Sequence, residues 1–486
     1  KFEIDGFNET NLSLTNGKML CLNFTKDEIK DGDIVEMRFN PDAKNGMVWE
    51  PLRVRSDKLK PQFFTIANNV WDTIQNPVTS DMIMGGYKDF TKSLEIVKEE
   101  GKYYISNTED TLTESYPLRK LHNYIKSKLI SGVCSSFNKQ IKILDLSIGR
   151  GGDIRKYLNS DSNSKLLVGL DISSNYTESC KRFYYEKKPK PLGVFLRADT
   201  SKVIKNAECL EIEDEDVDIN DINHSKNMLS IIYDTSKPIE KDYEQIYRKY
   251  KGVAKDGFDV VSSQFSMHYY FKTEDTFKNF MQNLVDNVSV GGYFIGTCYN
   301  GMKIYDAFKE LEKLNISETS EETSETSEET SEGIPENNYN KIEYVDTMSN
   351  LVYRIEKKFS IDNFDYSEDD ISNMFGTEID VYMDSIGQTI TEYLVNFDFF
   401  KDSMEKLGFE LKVPENINKK HSTIFRKDYI EDGLGSFRKV IENIPELKES
   451  DKEFQKFYSE AFEMTRNPLL KRLSSFNNYF IFQRIN

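Results

Sequence analysis

The run Ile143-Leu-Asp-Leu-Ser-Ile-Gly-Arg-Gly-Gly-Asp-Ile-Arg-Lys156, followed about twenty residues on by Val168-Gly-Leu-Asp-Ile172, constrains the fold more than any other stretch. An apolar strand enters a glycine turn, a helix starts at about Asp153, and a second apolar strand ends in Asp171, where a carboxylate can hold a ribose diol. Three more β-forming runs follow: Leu192 to Asp199, Phe258 to Gln264 and Gly291 to Thr297. Strands alternating with helical stretches predict an α/β fold with a mostly parallel sheet.

The glycine spacing decides between two nucleotide cofactors. A dinucleotide fingerprint needs G-x-G-x-x-G so that backbone can approach a pyrophosphate. This turn reads Asp145-x-x-x-Gly149-x-Gly151-Gly152, with an acid at the strand end. A carboxylate sits badly beside pyrophosphate and well beside the cationic methionyl part of S-adenosylmethionine, which is the expected cofactor.

At 486 residues the chain is long enough for two or three domains. Cys21, Cys134, Cys180, Cys209 and Cys298 are dispersed, and His122, His224, His268 and His421 lack ligand spacing, so no metal site is expected. Dispersed cysteines, with no signal peptide or long apolar run, point to a reducing, cytoplasmic setting. The chain opens at Lys1 in mid-pattern, which reads as a piece of a longer polypeptide. A net charge of −18 argues against a nucleic-acid partner only until its location is considered. Ser317 to Glu332 holds seven glutamates and no base, and Glu208 to Asp221 is a second acidic block. A basic groove elsewhere remains compatible with that sum.

Residues 1 to 75 alternate β-formers with Asp-Gly and Asn-Gly turns, which predicts a small β-barrel, and Phe63 to Ile74 reads as a helix. Residues 76 to 105 read as a linker or docking segment, and 106 to 486 as the α/β domain, with insertions at about 205 to 250 and 315 to 340. The second insertion is a Ser/Glu/Thr repeat with nothing to bury, and is expected to be disordered. Residues 340 to 400 resume β patterns, a helical stretch runs to about 465, and Tyr479 to Phe482 forms a terminal strand.

Two further motifs carry a family resemblance. Gln264-Phe-Ser-Met-His-Tyr-Tyr-Phe271 offers neutral hydrogen bonds and flat rings to a purine. With the glycine turn and Asn123-Tyr-Ile-Lys126 it resembles the mRNA cap guanine-N7 methyltransferases over about 118 to 300, resuming at Glu392 to Phe397 and Tyr479. Trp49-Glu-Pro-Leu-Arg-Val-Arg-Ser-Asp-Lys58 looks like the last motif of the OB-fold lid in mRNA guanylyltransferases, whose Lys-x-Asp-Gly nucleophile motif is absent. The order matches the C-terminal part of multifunctional capping enzymes of large DNA viruses.

The resemblance implies a class I, Rossmann-like S-adenosylmethionine methyltransferase preceded by an OB-type barrel. Lys126, Asp145, Ser147, Gly149, Gly151, Asp171, Asp199, Gln264 and Tyr269 would bind the cofactor. His122, Asn123, Arg150, Lys156, Arg182, His268, Glu392 and Tyr479 would bind the cap or RNA. His268, Tyr269 and Glu392 would position the guanine, and no residue would act as acid or base. Implied partners are the capped mRNA 5′ end, a stimulatory subunit and the guanylyltransferase and triphosphatase parts of the same polypeptide. Ser147 for the family's glycine, Arg150 for its lysine, Phe183 for an arginine and Cys298-Tyr299 for Thr-Pro depart from the pattern. The rival readings are a class I methyltransferase for another purine or small molecule, and a catalytically silent RNA-binding subunit.

Overall fold

The computed structural model describes residues 14–15, 18–21, 26–40, 49–58, 113–158, 164–186, 190–212, 219–235, 244–322 and 340–486. The chain divides into two compact units, Lys1–Lys98 and Glu99–Asn486. No described helix is long and apolar enough to cross a membrane.

In the first unit, β1 (Leu14–Thr15) pairs antiparallel with β2 (Lys18–Met19), and β3 (Val35–Phe39) with β4 (Trp49–Val54). Closure into a barrel, the helix expected at 63 to 74 and the segment 76 to 105 lie outside the described residues. In the Trp49 to Lys58 motif, Arg53 and Arg55 both reach Glu36 across the hairpin (2.9 and 2.8 Å), and Arg55 also holds Asp57. These pairs are exposed or partly exposed, and each is worth little to stability.

The second unit begins with helix α1 (Tyr116–Ser135), which buries Leu121, Ile125 and Leu129 at helical spacing and packs on the sheet. There follow β5 (Ile141–Asp145), α2 (Ile154–Leu158), β6 (Ser164–Asp171), α3 (Tyr176–Tyr185) and β7 (Leu192–Arg197). The first insertion carries α4 (Ile219–Tyr233) and α5 (Glu244–Tyr250). Then come β8 (Phe258–Gln264), α6 (Glu274–Asn287), β9 (Val288–Tyr299) and α7 (Gly301–Glu322).

Helix α7 corrects one expectation. Residues 315 to 322, the start of the Ser/Glu/Thr repeat, continue a helix rather than leave it. Propagation from a packed first half adds one hydrogen bond per residue, and glutamate is a good helix former. Residues 323 to 339 lie outside the described set.

Strands β10 (Lys341–Val345), β11 (Leu351–Lys357), β12 (Glu378–Met383) and β13 (Thr389–Tyr393) make an antiparallel four-stranded sheet. The chain closes with α8 (Phe397–Lys406), β14 (Phe409–Leu411), β15 (Ile430–Glu431), β16 (Leu434–Ser436), α9 (Phe437–Glu442), α10 (Ile444–Ser450), α11 (Tyr458–Arg466), α12 (Pro468–Ser475) and β17 (Asn477–Arg484).

The central sheet runs β15-β16-β17-β9-β8-β5-β6-β7, with β14 also on β17. Strands β5 to β9 are mutually parallel, and β17 enters antiparallel beside β9. The chain moves outward from β5 to β7, then returns to the other side of β5 with β8. The carboxyl ends of β5 and β8 therefore border a topological switch point, where open α/β sheets bind ligands.

A buried cation ties α1 to the C-terminal helices. Lys128 pairs with Asp451 (2.8 Å) and Glu453 (2.9 Å), while Tyr124 and Thr423 also donate to Asp451. Removing the cation strands a buried carboxylate, which costs about 3–5 kcal/mol. Lys128→Met is accordingly expected to lower the urea midpoint strongly, and an unchanged midpoint would count against a structural role for this network.

Candidate active site

Three adjacent parallel strands bring carboxylates to the same edge. Asp145 ends β5, Asp171 ends β6, and Asp199 follows β7. Asp145 is buried and accepts the Ser147 N–H (3.0 Å) and the Tyr157 hydroxyl (2.8 Å). Burial, reinforced by nearby Asp153, pushes its carboxyl up to about 7. Asp171 accepts the Gly149 N–H (2.7 Å) and both the N–H and hydroxyl of Ser173 (2.9 and 2.5 Å). A carboxylate offers about four acceptor sites, so one remains and the Ser173 hydroxyl is replaceable. Asp199 accepts the N–H and hydroxyl of Ser201 (3.0 and 2.6 Å). Ile172, next to Asp171, leaves 54% of its surface exposed. Sequence reasoning did not single it out, although an apolar residue after the acid was its signal.

The glycine turn is shaped by close approach. Gly151 has φ +75°, and a Cβ there would lie 2.7 Å from Ile154 Cδ1 and 3.0 Å from the Ser179 backbone. Ser147, the departure at the head of the turn, accepts a hydrogen bond from the Ser266 hydroxyl (2.7 Å) and so couples the turn to the end of β8.

Beside the turn, Asp153 gathers residues expected to act separately. Lys126 reaches its Oδ2 (3.1 Å) and Lys156 its Oδ1 (2.6 Å). Lys156 also donates to the Gly152 carbonyl (3.0 Å) and Asn123 Oδ1 (3.5 Å). Burial alone would raise the Asp153 carboxyl, but the two ammonium groups outweigh it and hold it well below the usual range. Asp153 is absent from the expected site residues because an acid in a first helical turn reads as a favourable charge at the helix dipole. Arg150 faces Glu178 on α3 at 3.8 Å, and Arg182 lies one turn further along that helix, exposed.

After β8 the chain enters the turn Met267–Phe271 through a strained residue: Phe265 has φ +56°, uncommon for a bulky side chain. Its ring stacks on His122 (centroids 5.4 Å apart, 17° between planes), and Lys126 Nζ lies 5.6 Å from its centroid. His122 also meets the Phe437 edge and the Ser474 hydroxyl (2.9 Å), and burial beside Lys126 lowers its pKa to about 3. Gln264 is occupied within the sheet, donating to the Ser262 hydroxyl and accepting from Thr297.

His268 and Glu392 form the most unusual pair. His268 Nδ1 stands 3.6 Å from Glu392 Oε2, both side chains are buried, and the half-buried Tyr269 ring lies 4.2 Å from the imidazole. That separation is too long for a hydrogen bond. Among the described residues, Glu392 Oε2 and His268 Nε2 have no hydrogen-bond partner. Burial pushes the Glu392 carboxyl up to about 8 and His268 down to about 3. An unsatisfied buried polar atom costs about 1–3 kcal/mol, and a ligand with complementary groups would recover it.

Tyr479 is not brought to this pair. Its ring is fully buried over Gly435, and its hydroxyl points to the carbonyls of Ile424 (2.8 Å) and Tyr429 (3.1 Å). The aromatic pattern of a terminal strand serves the core here. Among the described residues no group of three or more His, Cys, Asp or Glu could hold a metal.

The strand order with its reversal at β5/β8, the glycine turn and the acids at or just beyond the ends of β5, β6 and β7 have the layout of a class I S-adenosylmethionine-dependent methyltransferase fold. Residues 103–225 and 219–324 match the model of the mRNA (guanine-N(7))-methyltransferase domain, and residues 7–84 that of the mRNA capping enzyme C-terminal domain. Residues 103–324 are thus similar to the mRNA cap guanine-N7 methyltransferases. It is 27% identical over 89% of its length to an Acanthamoeba polyphaga mimivirus protein described as a probable mRNA-capping enzyme, of which it covers 35%. It is also 27% identical, over 37% of its length, to the mRNA cap guanine-N(7) methyltransferase of Caenorhabditis briggsae, of which it covers 38%. The chain thus spans a little over a third of these relatives. A solved S-adenosylmethionine-dependent methyltransferase from Clostridium acetobutylicum aligns at 12% identity, covering 72% of this chain and 94% of that one, with a TM-score of 0.31.

Proposed function

We propose that this chain transfers the methyl group of S-adenosylmethionine to N7 of the guanosine cap of mRNA, converting GpppN-RNA to m7GpppN-RNA. The observation that carries the reading is the buried Glu392 and His268 pair, with its unpaired oxygen and nitrogen, packed with the turn that leaves β8 next to the acid-ended strands. A guanine presents N1–H and an exocyclic amine, the two donors a carboxylate can accept together.

The donor set suits the cofactor. Asp171 would take the ribose diol, Asp199 the adenine amine, and Ile172 an adenine face. Lys126, Asp145, Ser147, Gly149 and Gly151 would surround the methionine end, with Gln264 and Tyr269 completing the pocket. When bound, S-adenosylmethionine supplies an electrophilic methyl group on a positively charged sulfur. Asp145 sits where a neighbouring cation favours its ionised form. His122, Asn123, Arg150, Lys156 and Arg182 would hold the cap and its phosphates, joined by His268 and Glu392 on the base.

The chain has no proton to remove. Guanine N7 offers a lone pair and loses no hydrogen as it attacks, so a general base is unnecessary. Glu392, His268 and Tyr269 contribute alignment, and holding reactants in line is worth about 7–11 kcal/mol in effective molarity. The residues 1 to 75 would be the OB-type remnant of a guanylyltransferase, 76 to 105 a linker, and 106 to 486 the methyltransferase domain. The same reading proposes a cytoplasmic virus factory or virion as the setting, with guanylyltransferase and triphosphatase parts and a stimulatory subunit as partners.

Label from S-adenosylmethionine should pass to GpppRNA and not to pppRNA. Transfer to both, or to neither, would overturn the assignment.

A further inference from the structure

Among the described residues of the second unit, two strongly exposed tyrosines have no part in the site described above. Tyr184 and Tyr185, at the end of α3, leave 68% and 80% of their surfaces exposed, and their rings stand edge to face at 5.3 Å and 85°. Two adjacent exposed rings offer flat faces and polar hydroxyl tips to a ligand. Their surroundings are basic. Lys181 and Arg182 are exposed on the same helix, and among the described residues neither is ion-paired to a carboxylate. Arg155 on α2 is exposed and reaches Glu186 (2.6 Å), immediately after the tyrosines. At the other end of α3, Glu178 faces Arg150 of the glycine turn. The cations Arg150, Lys181, Arg182 and Arg155 therefore outnumber the acids Glu178 and Glu186 from the turn along α3 to the two rings, about 10 Å over seven residues at 1.5 Å each.

We propose that the outer face of α3 and α2 is a track for the RNA just beyond the cap, with bases stacking on Tyr184 and Tyr185 and backbone phosphates facing Lys181, Arg182 and Arg155. The occupant follows from the chemistry. Aromatic rings set among cations match single-stranded nucleic acid, whose bases offer π-faces and whose phosphates offer charge. A protein partner would want a continuous apolar patch, and this one is interrupted by charge at every turn of the helix. The track also resolves the tension between a chain of net charge −18 and an RNA substrate, because the acidic blocks lie elsewhere in the sequence.

The inference rests on cap methylation as the function, and its test separates the two. The whole chain is assayed on the dinucleotide GpppG and on a capped, unstructured RNA of about twenty nucleotides. Tyr184→Ala/Tyr185→Ala should raise KM for the RNA about tenfold, equivalent to about 1.4 kcal/mol, and leave GpppG kinetics unchanged. Tyr184→Phe/Tyr185→Phe, which keeps the rings, should behave as wild type on both. Unchanged RNA kinetics in the Ala pair, equal loss on both substrates, or loss in the Phe pair would each overturn the track. So would a defect of the Ala pair confined to association with another protein. Wild type that methylates neither substrate would overturn the cap reading itself.

Discussion

Replacing Glu392 with Gln is expected to cut kcat/KM for capped RNA by about 10²–10³, while making the ligand-free protein more stable near neutral pH. The loss follows from charge-assisted hydrogen bonds worth about 1.5–3 kcal/mol each, two of which a guanine would make to the carboxylate. The gain follows from burial. In the free protein the carboxyl titrates at about 8, against an ordinary 4.5. The folded state therefore keeps a proton that the unfolded chain releases above about pH 4.5, so this group erodes stability as pH rises from there to about 8. Gln carries no such penalty. The Tm advantage of Glu392→Gln should be clear at pH 7.5 and vanish by pH 4.5. His268, Cys298 and Tyr299 are the titratable neighbours, and burial keeps His268 neutral across this window. Cap affinity should rise with pH up to about 8 in wild type, where guanine needs the ionised acceptor, and stay flat in the variant. Full activity together with an unchanged Tm would remove Glu392 from the site.

Asp171→Ala is expected to weaken S-adenosylmethionine binding at least 100-fold and to leave cap-dinucleotide binding within threefold of wild type. The carboxylate works twice, holding the Gly149 N–H and Ser173 while keeping capacity for a ribose hydroxyl. Alanine frees the turn and removes the ribose acceptor together. Asp171→Asn keeps the shape, but its amide can present only one oxygen, so an intermediate loss of about tenfold is expected. Calorimetric titration with each ligand separates the cases. Equal losses for both ligands would point to general unfolding, and unchanged cofactor affinity would remove Asp171 from the ribose.

The parallel sheet was legible because its strands are short apolar runs alternating with helical stretches, and the acids at or just after the first three of them singled out Asp145, Asp171 and Asp199 as candidates. Glu392 was legible only through family resemblance, since nothing local links a β13 glutamate to a turn that follows β8. Asp153 escaped because its i,i+3 pair with Lys156 looks like ordinary helix-surface charge, and the second ammonium, Lys126, comes from a distant helix that leaves no local spacing. The left-handed backbone of Phe265 has no sequence signal at all, because tertiary packing against His122 and Phe437 imposes it. Tyr479 misled for the converse reason: an aromatic in a buried strand looks the same whether its hydroxyl meets a ligand or two carbonyls. The helical start of the Ser/Glu/Thr repeat was lost to composition, which registers missing apolar residues and overlooks a helix already nucleated upstream.

The central claim is methyl transfer to one atom, and the most direct measurement is the position of the label. GpppRNA methylated from labelled S-adenosylmethionine is digested to nucleosides and separated. The account predicts label in 7-methylguanosine alone; label in a ribose 2′-O-methyl group, in an internal base or in no RNA product would contradict it.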